Sequence, residues 1–397
     1  MKTSSSAYIV SSLRSAVGKA HRGTLRNVRP EDMAARLVRA TLDTAPDLPD
    51  EMVDDVLIGC AMPEGAQGMN VGRLIAQKAK LPDSVPGATM NRFCSSGLQT
   101  IAMATQAISS GFADVVVAGG VESMSQIPMT GFYYQPDPDM IREDPDVYVS
   151  MGNTAENVAE KYQISREEQD RFALQSHIRA LEAIQSGKFA QEIVPLDIIR
   201  DTVIDGKPVR DEVVFDTDEG PRAGSSLEAL ARLRPVFRQG GSVTAGNSSQ
   251  MSDGAAASLI VSESALQEYN LTPLARLVGF AVAGVAPEVM GIGPIAAIPK
   301  VLKQTGLKTS DIGLVELNEA FASQSLAVIR ETGFDESIVN VNGGAIALGH
   351  PLGCTGAKLT ATLLHEMRRR NVRYGICTMC IGGGMGAAAV FELNGLS

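Results

Sequence analysis

Residues 94–120 read CSSGLQTIAMATQAISSGFADVVVAGG, and this stretch predicts a turn, a helix and a strand in succession. The first four residues are small and suit a turn, and residues 98–109 carry apolar side chains at helical spacing. Residues 114–120 (DVVVAGG) are apolar, β-branched and closed by glycines, which is typical of a buried strand. Cys94 would therefore stand at the first turn of a helix, where the partial positive charge of the helix N-terminus favours a thiolate.

The same order of elements returns near the end of the chain. The second copy has a turn at 350–353 (HPLG), a helical pattern at 357–369 and an apolar strand at 376–379 (ICTM). Upstream, residues 55–59 (DVLIG) are similar to residues 311–315 (DIGLV). The sequence thus predicts an α/β fold of two related halves with buried sheets. Superposing the two turns sets Cys94 opposite His350 and predicts that both lie at one seam.

The region between the halves has a different composition. Residues 135–146 (QPDPDMIREDPD) cluster proline and aspartate, and residues 165–168 (SREE) form a capping box that opens a helix to about residue 186. Gly187 ends that helix. An insertion of this kind typically covers a site or makes an oligomer contact.

Composition excludes several classes of partner. The 397 residues carry a formal net charge of -10, which argues against nucleic acid or an anionic membrane as the main partner. A phosphate-bearing small molecule remains open, because it needs only a local basic pocket. Five cysteines, an odd number, suit a reducing compartment better than a disulfide framework. No apolar stretch reaches membrane-spanning length, and we expect the cytoplasm as the default location.

Four predicted turns carry polar or nucleophilic side chains. They hold Cys94, Asn318 with Glu319 (NEAF, 318–321), His350 (GHP, 349–351) and Cys380 (CIGGGMG, 380–386). Each has a structural interpretation: a free cysteine is often a small buried hydrophobe, and Asn and Glu often cap helices. The glycines after Cys380 expose N–H groups that suit an oxyanion site. They could also bind a phosphate, although the lysine that ends a P-loop is missing.

Together the four turns resemble the thiolase family. They match its Cys-x-Ser, Asn-Glu-Ala-Phe, Gly-His-Pro and Cys-x-Gly motifs in order and spacing, and residues 243–247 (VTAGN) match as well. The resemblance spans residues 7–393 and implies two pseudo-twofold-related α/β halves in a layered αβαβα arrangement plus a loop domain. The expected limits are an N-terminal half at 1–120, a loop domain at 121–249, a return to the N-terminal half at 250–271 and a C-terminal half at 272–397.

The resemblance implies a catalytic role for five residues. Thiolases cleave a 3-ketoacyl-CoA with a second CoA, or run the reverse Claisen condensation. Cys94 matches the nucleophile, His350 its base, and Cys380 the acid that protonates the acetyl-CoA enolate. One oxyanion hole would use His350 and a water held by Asn318. The other would use the backbone N–H groups of Cys94 and Gly382.

The resemblance also implies the binding site for CoA, which is a substrate here; no other cofactor and no metal is expected. Arg222 matches a residue near the adenine and phosphate end, and Ser249 matches a hydroxyl near the pantetheine. The residues that match the lining of the pantetheine tunnel are Met151, Leu233, Ala320 and Phe321.

Motif details favour the degradative branch of the family. Short-chain biosynthetic members read His-Met-Gly and Gly-His-Pro-Ile-Gly-Ala-Ser-Gly where this chain has SMG at 150–152 and GHPLGCTG at 349–356. The chain's FASQ at 321–324 and VFE at 390–392 also resemble that branch. We therefore expect 3-ketoacyl-CoA thiolysis in fatty-acid β-oxidation, with acetoacetyl-CoA synthesis as the alternative.

Two more distant hypotheses carry less weight. A ketoacyl-ACP synthase of the same superfold uses one cysteine, so the second one, Cys380, argues against it. An inactive CoA or lipid carrier conflicts with the intact set of catalytic residues. The resemblance implies a homodimer or homotetramer and leaves a β-oxidation hydratase/dehydrogenase open as a further partner.

Overall fold

A computed structural model describes residues 6–394, except for the side chains of Asp201, Thr202 and Ile204. Its strands are β1 (Ala7–Arg14), β2 (Gly18–Lys19), β3 (Asp55–Gly59), β4 (Gly87–Met90), β5 (Val115–Ser123), β6 (Leu196–Ile204), β7 (Lys207–Phe215), β8 (Ser252–Ser262), β9 (Ala275–Gly284), β10 (Leu314–Leu317), β11 (Tyr374–Ile381) and β12 (Met385–Leu393). Its α-helices are α1 (Pro30–Leu42), α2 (Val71–Lys78), α3 (Ser96–Ser109), α4 (Pro138–Glu143), α5 (Met151–Lys161), α6 (Arg166–Gln185), α7 (Leu227–Ala231), α8 (Glu263–Glu268), α9 (Gly293–Thr305), α10 (Ala322–Thr332), α11 (Ala345–Leu348) and α12 (Leu352–Arg370).

The strands form two groups with the same order and directions. The N-terminal group runs β4-β3-β5-β8-β1, with β3 parallel to both neighbours and the rest antiparallel. The C-terminal group runs β10-β11-β12-β9, and a parallel bridge between Val315 and Val339 stands where the first group has β4. One residue pair, Ile9 and Ala275, joins the groups into a single ten-stranded sheet. The two related halves predicted from the sequence are confirmed.

Helices cover the sheet in layers. Helices α1 and α2 pack on the outer face of the N-terminal group, and α9 and α10 cover the outer face of the C-terminal group. Helices α3 and α12 lie between the groups and pack on each other. The layered α/β fold expected from the motifs is therefore present. The insertion contributes α4 to α7 and the β6–β7 hairpin. The residue limits of the two halves and the loop domain stay a prediction.

Glycines let α3 and α12 approach each other closely. A Cβ atom on Gly97 would lie 2.8 Å from Ala357 N, and one on Gly356 would lie 2.3 Å from Leu98 N. Any larger residue would push the helices apart. Since Cys94 and His350 precede these two helices, their crossing brings both turns to one seam, as the repeat predicts.

Some boundaries differ from the prediction. Helix α12 begins at Leu352 rather than near residue 357, because neither of its first two glycines forms a turn: Gly353 packs against Cys60 and Ala61, and Gly356 serves the helix crossing. The capping box at Ser165 is present and opens α6. Among the described residues, no helix is both long and apolar enough to cross a membrane.

Candidate active site

The Cys94 turn is held by its own serine. Phe93 has a φ of 42°, a strained value for a bulky residue. The Ser96 hydroxyl accepts from Arg92 N at 2.9 Å and donates to Phe93 O at 2.7 Å, which fixes the turn. Strain of this kind collects at functional sites. The serine of the Cys-x-Ser motif thus shapes the backbone that presents Cys94.

Cys94 is a buried thiol beside Gly382. Burial raises the pKa of Cys94 to about 11, and the Glu122 carboxylate adds to the rise. Hydrogen bonds from the N–H groups of Gly382 and of Cys94 itself act in the opposite direction and lower the pKa. Both N–H groups therefore favour negative charge beside the sulfur, where an oxyanion of the substrate would also develop.

Cys380 lies next to Cys94 at the end of β11. Burial raises the pKa of its thiol, and the neighbouring Cys94 sulfur raises it further. Its Sγ atom is 3.9 Å from Gln324 Oε1. The sulfurs are not bonded to each other, and the five cysteines are all free and buried. The site thus holds two separate thiols.

His350 is fixed at both ring nitrogens. Its Nδ1 atom is 2.6 Å from Thr355 Oγ1, and its Nε2 atom is 3.3 Å from Asn318 Nδ2. The Thr355 hydroxyl donates to Pro351 O at 2.9 Å, so it accepts the Nδ1–H of the ring. This assignment leaves a lone pair on Nε2. Burial lowers the pKa of His350 to about 3, and the Lys358 charge lowers it too, so the ring is neutral.

The side-chain oxygen of Asn318 is an unused hydrogen-bond acceptor within the part of the chain that the structure describes. This atom, Oδ1, is buried and has no hydrogen-bond partner among residues 6–394. The neighbouring Glu319 is fully engaged by Ser176 Oγ at 2.7 Å, Asn340 Nδ2 at 2.8 Å and Ile346 N at 3.2 Å. Glu319 therefore braces the turn, while Asn318 faces the site.

The residues expected to line the CoA tunnel separate into two sets. Met151, Ala320 and Phe321 belong to one apolar cluster that also contains Cys380. A Cβ on Gly382 would lie 3.9 Å from Met151 Sδ, so this cluster reaches Gly382. Ser249 joins it through a hydrogen bond from its N–H to Ala320 O at 2.9 Å.

Leu233 and Arg222 lie outside that cluster, nearer the surface. Leu233 is 37% exposed and packs close to Gly246. Arg222 is exposed, and its backbone N–H donates to His177 Nδ1 at 3.3 Å. The structure does not bring these two residues into contact with the catalytic group.

Comparison with known proteins identifies the family. Residues 7–264 match the family model "Thiolase, N-terminal domain", and residues 271–393 match "Thiolase, C-terminal domain". The chain belongs to the thiolase family. This thiolase is an enzyme of the acyltransferase class, as the motifs indicated.

Its relatives carry two names. This thiolase is 54% identical to the 3-ketoacyl-CoA thiolase of Bacillus subtilis, over 98% of this chain and 99% of that protein. It is 45% identical to the acetyl-CoA acetyltransferase of Pseudomonas aeruginosa, over 96% of this chain and 97% of that protein. The crystal structure of human mitochondrial 3-ketoacyl-CoA thiolase matches with a TM-score of 0.89 and 40% identity, covering 98% of this chain and 99% of that one.

Sequence reasoning missed two residues at the site of this thiolase. Thr355 holds the His350 ring, and its only signal was a hydroxyl five residues after His350, just before the predicted helix. Glu122 is a buried carboxylate that accepts from Ala61 N at 2.8 Å and Gly353 N at 2.8 Å. It ties the N-terminus of α12 to the N-terminal half, and its signal was a lone acid in an apolar strand. In residues 6–394, no cluster of three or more His, Cys, Asp or Glu side chains is placed to hold a metal ion.

Proposed function

We propose that this thiolase cleaves 3-ketoacyl-CoA with a second CoA, as fatty-acid β-oxidation requires, through an acyl group carried on Cys94. The observation that carries the proposal is a pair of buried thiols on adjoining turns. A Cβ on Gly382, after Cys380, would lie 3.6 Å from Phe93, before Cys94. Cys94 packs with Leu352, just after the His350 that contacts Asn318. One thiol suits the acyl transfer and the other suits the proton transfers.

The first half-reaction begins at the 3-keto carbon. His350 Nε2 carries the lone pair, which accepts from Asn318 Nδ2 at 3.3 Å before substrate binds. In the reaction this nitrogen takes the proton from Cys94, because only a thiolate attacks well. The developing oxyanion lies over the N–H groups of Cys94 and Gly382. Cleavage of the C–C bond then leaves the acyl group on Cys94 and an acetyl-CoA enolate.

Cys380 completes both half-reactions. Its thiol gives a proton to the enolate carbon and releases acetyl-CoA. The resulting thiolate takes the proton of the incoming CoA thiol. The CoA thiolate attacks the acyl group, and the Cys94 thiolate that leaves takes its proton back from His350. His350 and a water on Asn318 Oδ1 stabilise the enolate oxygen, since that buried acceptor has no partner among the described residues.

CoA would lie along the border of the insertion. Met151, Ala320 and Phe321 give the apolar wall next to Cys380, which suits the pantetheine. Leu233 and the exposed Arg222 would follow toward the adenine and phosphate end, and Ser249 would supply a hydroxyl between them. We assign this binding role to the expected loop domain at 121–249.

The alternative substrate is acetoacetyl-CoA, because relatives named acetyl-CoA acetyltransferase share 45% identity with this chain. The experiment compares kcat/KM for CoA-dependent thiolysis of acetoacetyl-CoA and 3-ketohexadecanoyl-CoA on one enzyme stock. We expect the long chain to be preferred. A strong preference for acetoacetyl-CoA would keep the mechanism and overturn the degradative assignment.

Assembly and location complete the proposal. Strand β4 lies at the edge of the sheet and is half-buried along its length, and an edge strand is a place where a second copy can pair. We propose a homodimer or homotetramer in the cytoplasm, with a β-oxidation hydratase/dehydrogenase as a further partner. Light scattering of the purified chain measures the first point, and a monomer would contradict it.

A further inference from the structure

A short segment, residues 247–251, runs between the two catalytic turns of the C-terminal half. On one side, Ala322 N donates to Asn247 O at 2.9 Å and Ser249 N donates to Ala320 O at 2.9 Å. On the other side, His350 N donates to Gln250 O at 3.1 Å. The segment is therefore joined by its backbone to both turns.

The side chain of Gln250 contacts the end of helix α11. Its Nε2 atom is 3.0 Å from Ile346 O and 3.1 Å from Ala347 O. If α11 continued, Ile346 O would receive the N–H of His350, four residues on. Gln250 satisfies both groups of the missing bond. Its backbone carbonyl accepts from His350 N–H, and its side-chain amide donates to Ile346 O.

The same amide reaches a third carbonyl, on the loop that carries Arg222. Gln250 Nε2 is 3.1 Å from Gly220 O. A Cβ on Gly220 would lie 2.0 Å from Ala347 O, so this loop rests directly on the end of α11. We call residues 220–222 the Arg222 loop. The side-chain amide of Gln250 has two hydrogens and faces three carbonyl oxygens, so its hydrogen bonds are shared among the three.

A second anchor holds the Arg222 loop without contacting the His350 turn. His177 accepts from Arg222 N, and burial lowers the pKa of His177 to about 4, so its ring stays a neutral acceptor at pH 7. Among the side-chain hydrogen bonds of the described residues, only those of Gln250 join the Arg222 loop to the helix end that leads into His350.

We propose that Gln250 is a positioning residue that couples the Arg222 loop to the catalytic base. The inference rests on the proposed binding of CoA at Arg222. When the adenosine end of CoA orders the loop, Gly220 O is fixed, the amide is fixed with it, and the His350 turn is held in the geometry that deprotonates Cys94. CoA thus prepares the base from a distance.

The test uses a probe for the loop and a separate probe for the base. Adenosine 3′,5′-bisphosphate represents the adenosine end of CoA and is too short to reach Cys94. Iodoacetamide alkylates Cys94 without needing the CoA site. In the wild type, saturating bisphosphate should raise the alkylation rate about fivefold. Calorimetry reports its binding independently.

The variants separate hydrogen bonding from packing. Gln250→Met keeps the approximate volume, removes the donor and adds no charge, so bisphosphate should still bind but change the alkylation rate less than twofold. The KM for CoA should rise about tenfold, the size of one or two lost hydrogen bonds. Gln126→Met is the matched control, since Gln126 is half-buried and donates to Val28 O in the N-terminal half. It should keep the fivefold response.

Each contrary result has its own meaning. An equal response in the wild type and Gln250→Met would overturn the coupling role of Gln250. Binding of the bisphosphate to the wild type with no change in alkylation would overturn the coupling and leave the CoA assignment standing. Failure of the wild type to bind the probe would overturn the assignment of Arg222 to CoA, and the inference with it.

Discussion

Cys94 and His350 are both neutral in this site, unlike the thiolate–imidazolium pairs of many cysteine enzymes. Burial raises the pKa of the thiol to about 11 and lowers that of the imidazole to about 3. The thiolate fraction therefore rises with pH up to the thiol pKa. We predict that iodoacetamide alkylation of Cys94 accelerates continuously from pH 6 to pH 10. Mass spectrometry follows the modified peptide, with Cys94→Ala as the blank. A plateau between pH 6 and pH 8 would indicate an ion pair instead.

The two thiols have different expected roles, and removing them should have different effects. Cys94→Ala should abolish turnover and leave the circular dichroism spectrum unchanged, because a small buried side chain is replaced by a smaller one. Cys380→Ser should still form an acyl group on Cys94, detected by intact-protein mass, while net thiolysis is lost. Loss of acylation and turnover in equal measure would argue against a separate acid/base role for Cys380.

Thr355 should matter through its hydroxyl rather than its size. Thr355→Val keeps the shape but leaves Nδ1–H of His350 without its acceptor, so kcat/KM should fall about a hundredfold. Thr355→Ser restores the oxygen and should recover most of the activity. The pH dependence of kcat/KM should change only in the valine variant. Equal loss in both variants would mean that the methyl group, not the hydrogen bond, is what the site needs.

At the scale of elements, the crossing of α3 and α12 is the most sensitive contact. Gly356→Ala would place a Cβ atom 2.3 Å from Leu98 N, against backbone that has no room to move. We predict that the free energy of unfolding falls by about 2 kcal/mol and that activity falls with it. Denaturant unfolding measures the first effect. Gly224→Ala is the control and should leave stability unchanged, because an added Cβ atom there would have no atom within 4 Å beyond its own chain neighbours.

The elements differ in how far the sequence predicts them. Strands β5 and β11 follow from β-branched runs in a repeated order, and α6 follows from its capping box. The start of α12 was placed too late, because glycines that serve a helix crossing have the same local pattern as a turn. The β6–β7 hairpin was not predicted, although Asp205-Gly206, with φ values of 51° and 72°, is the kind of pair that turns a hairpin.

The side chains of the candidate site also differ in how far the sequence predicts them. Cys94, Asn318, His350 and Cys380 stand in motifs, so the sequence points to them directly. Thr355, Glu122 and Gln250 act through partners that are distant in the chain or on another element. Gln250 contacts Gly220 and Ile346, for example, and no local pattern contains that information. Such residues become visible only when the tertiary contacts are known.

At the scale of the molecule, a buried ionic cluster joins the N-terminal half to the insertion. Arg14 in β1 contacts Glu192 Oε1 at 2.6 Å and Asp218 Oδ1 at 2.8 Å, with all three side chains buried. Arg14→Met would leave two carboxylates without their main partner. The free energy of unfolding should fall by about 3–5 kcal/mol.

The control for that prediction is a half-exposed pair. Arg39 contacts Asp50 at 2.7 Å with about a third of each side chain exposed. Arg39→Met should therefore cost no more than about 1 kcal/mol. Urea unfolding of both variants gives the comparison. Equal losses would show that the buried cluster contributes no more than an ordinary surface contact.

The protonated state of Cys94 also bears on oxidative damage. Because burial raises the pKa of this thiol to about 11, very little of it is thiolate at pH 7. Peroxide oxidises the thiolate and scarcely touches the thiol, so sulfenic acid forms slowly at such a residue. In the proposed mechanism the base takes the proton only when substrate is bound, so the nucleophile would be reactive during turnover and inert between turnovers. Burial thus gives this enzyme a chemical resistance that an exposed, permanently ionised cysteine would lack.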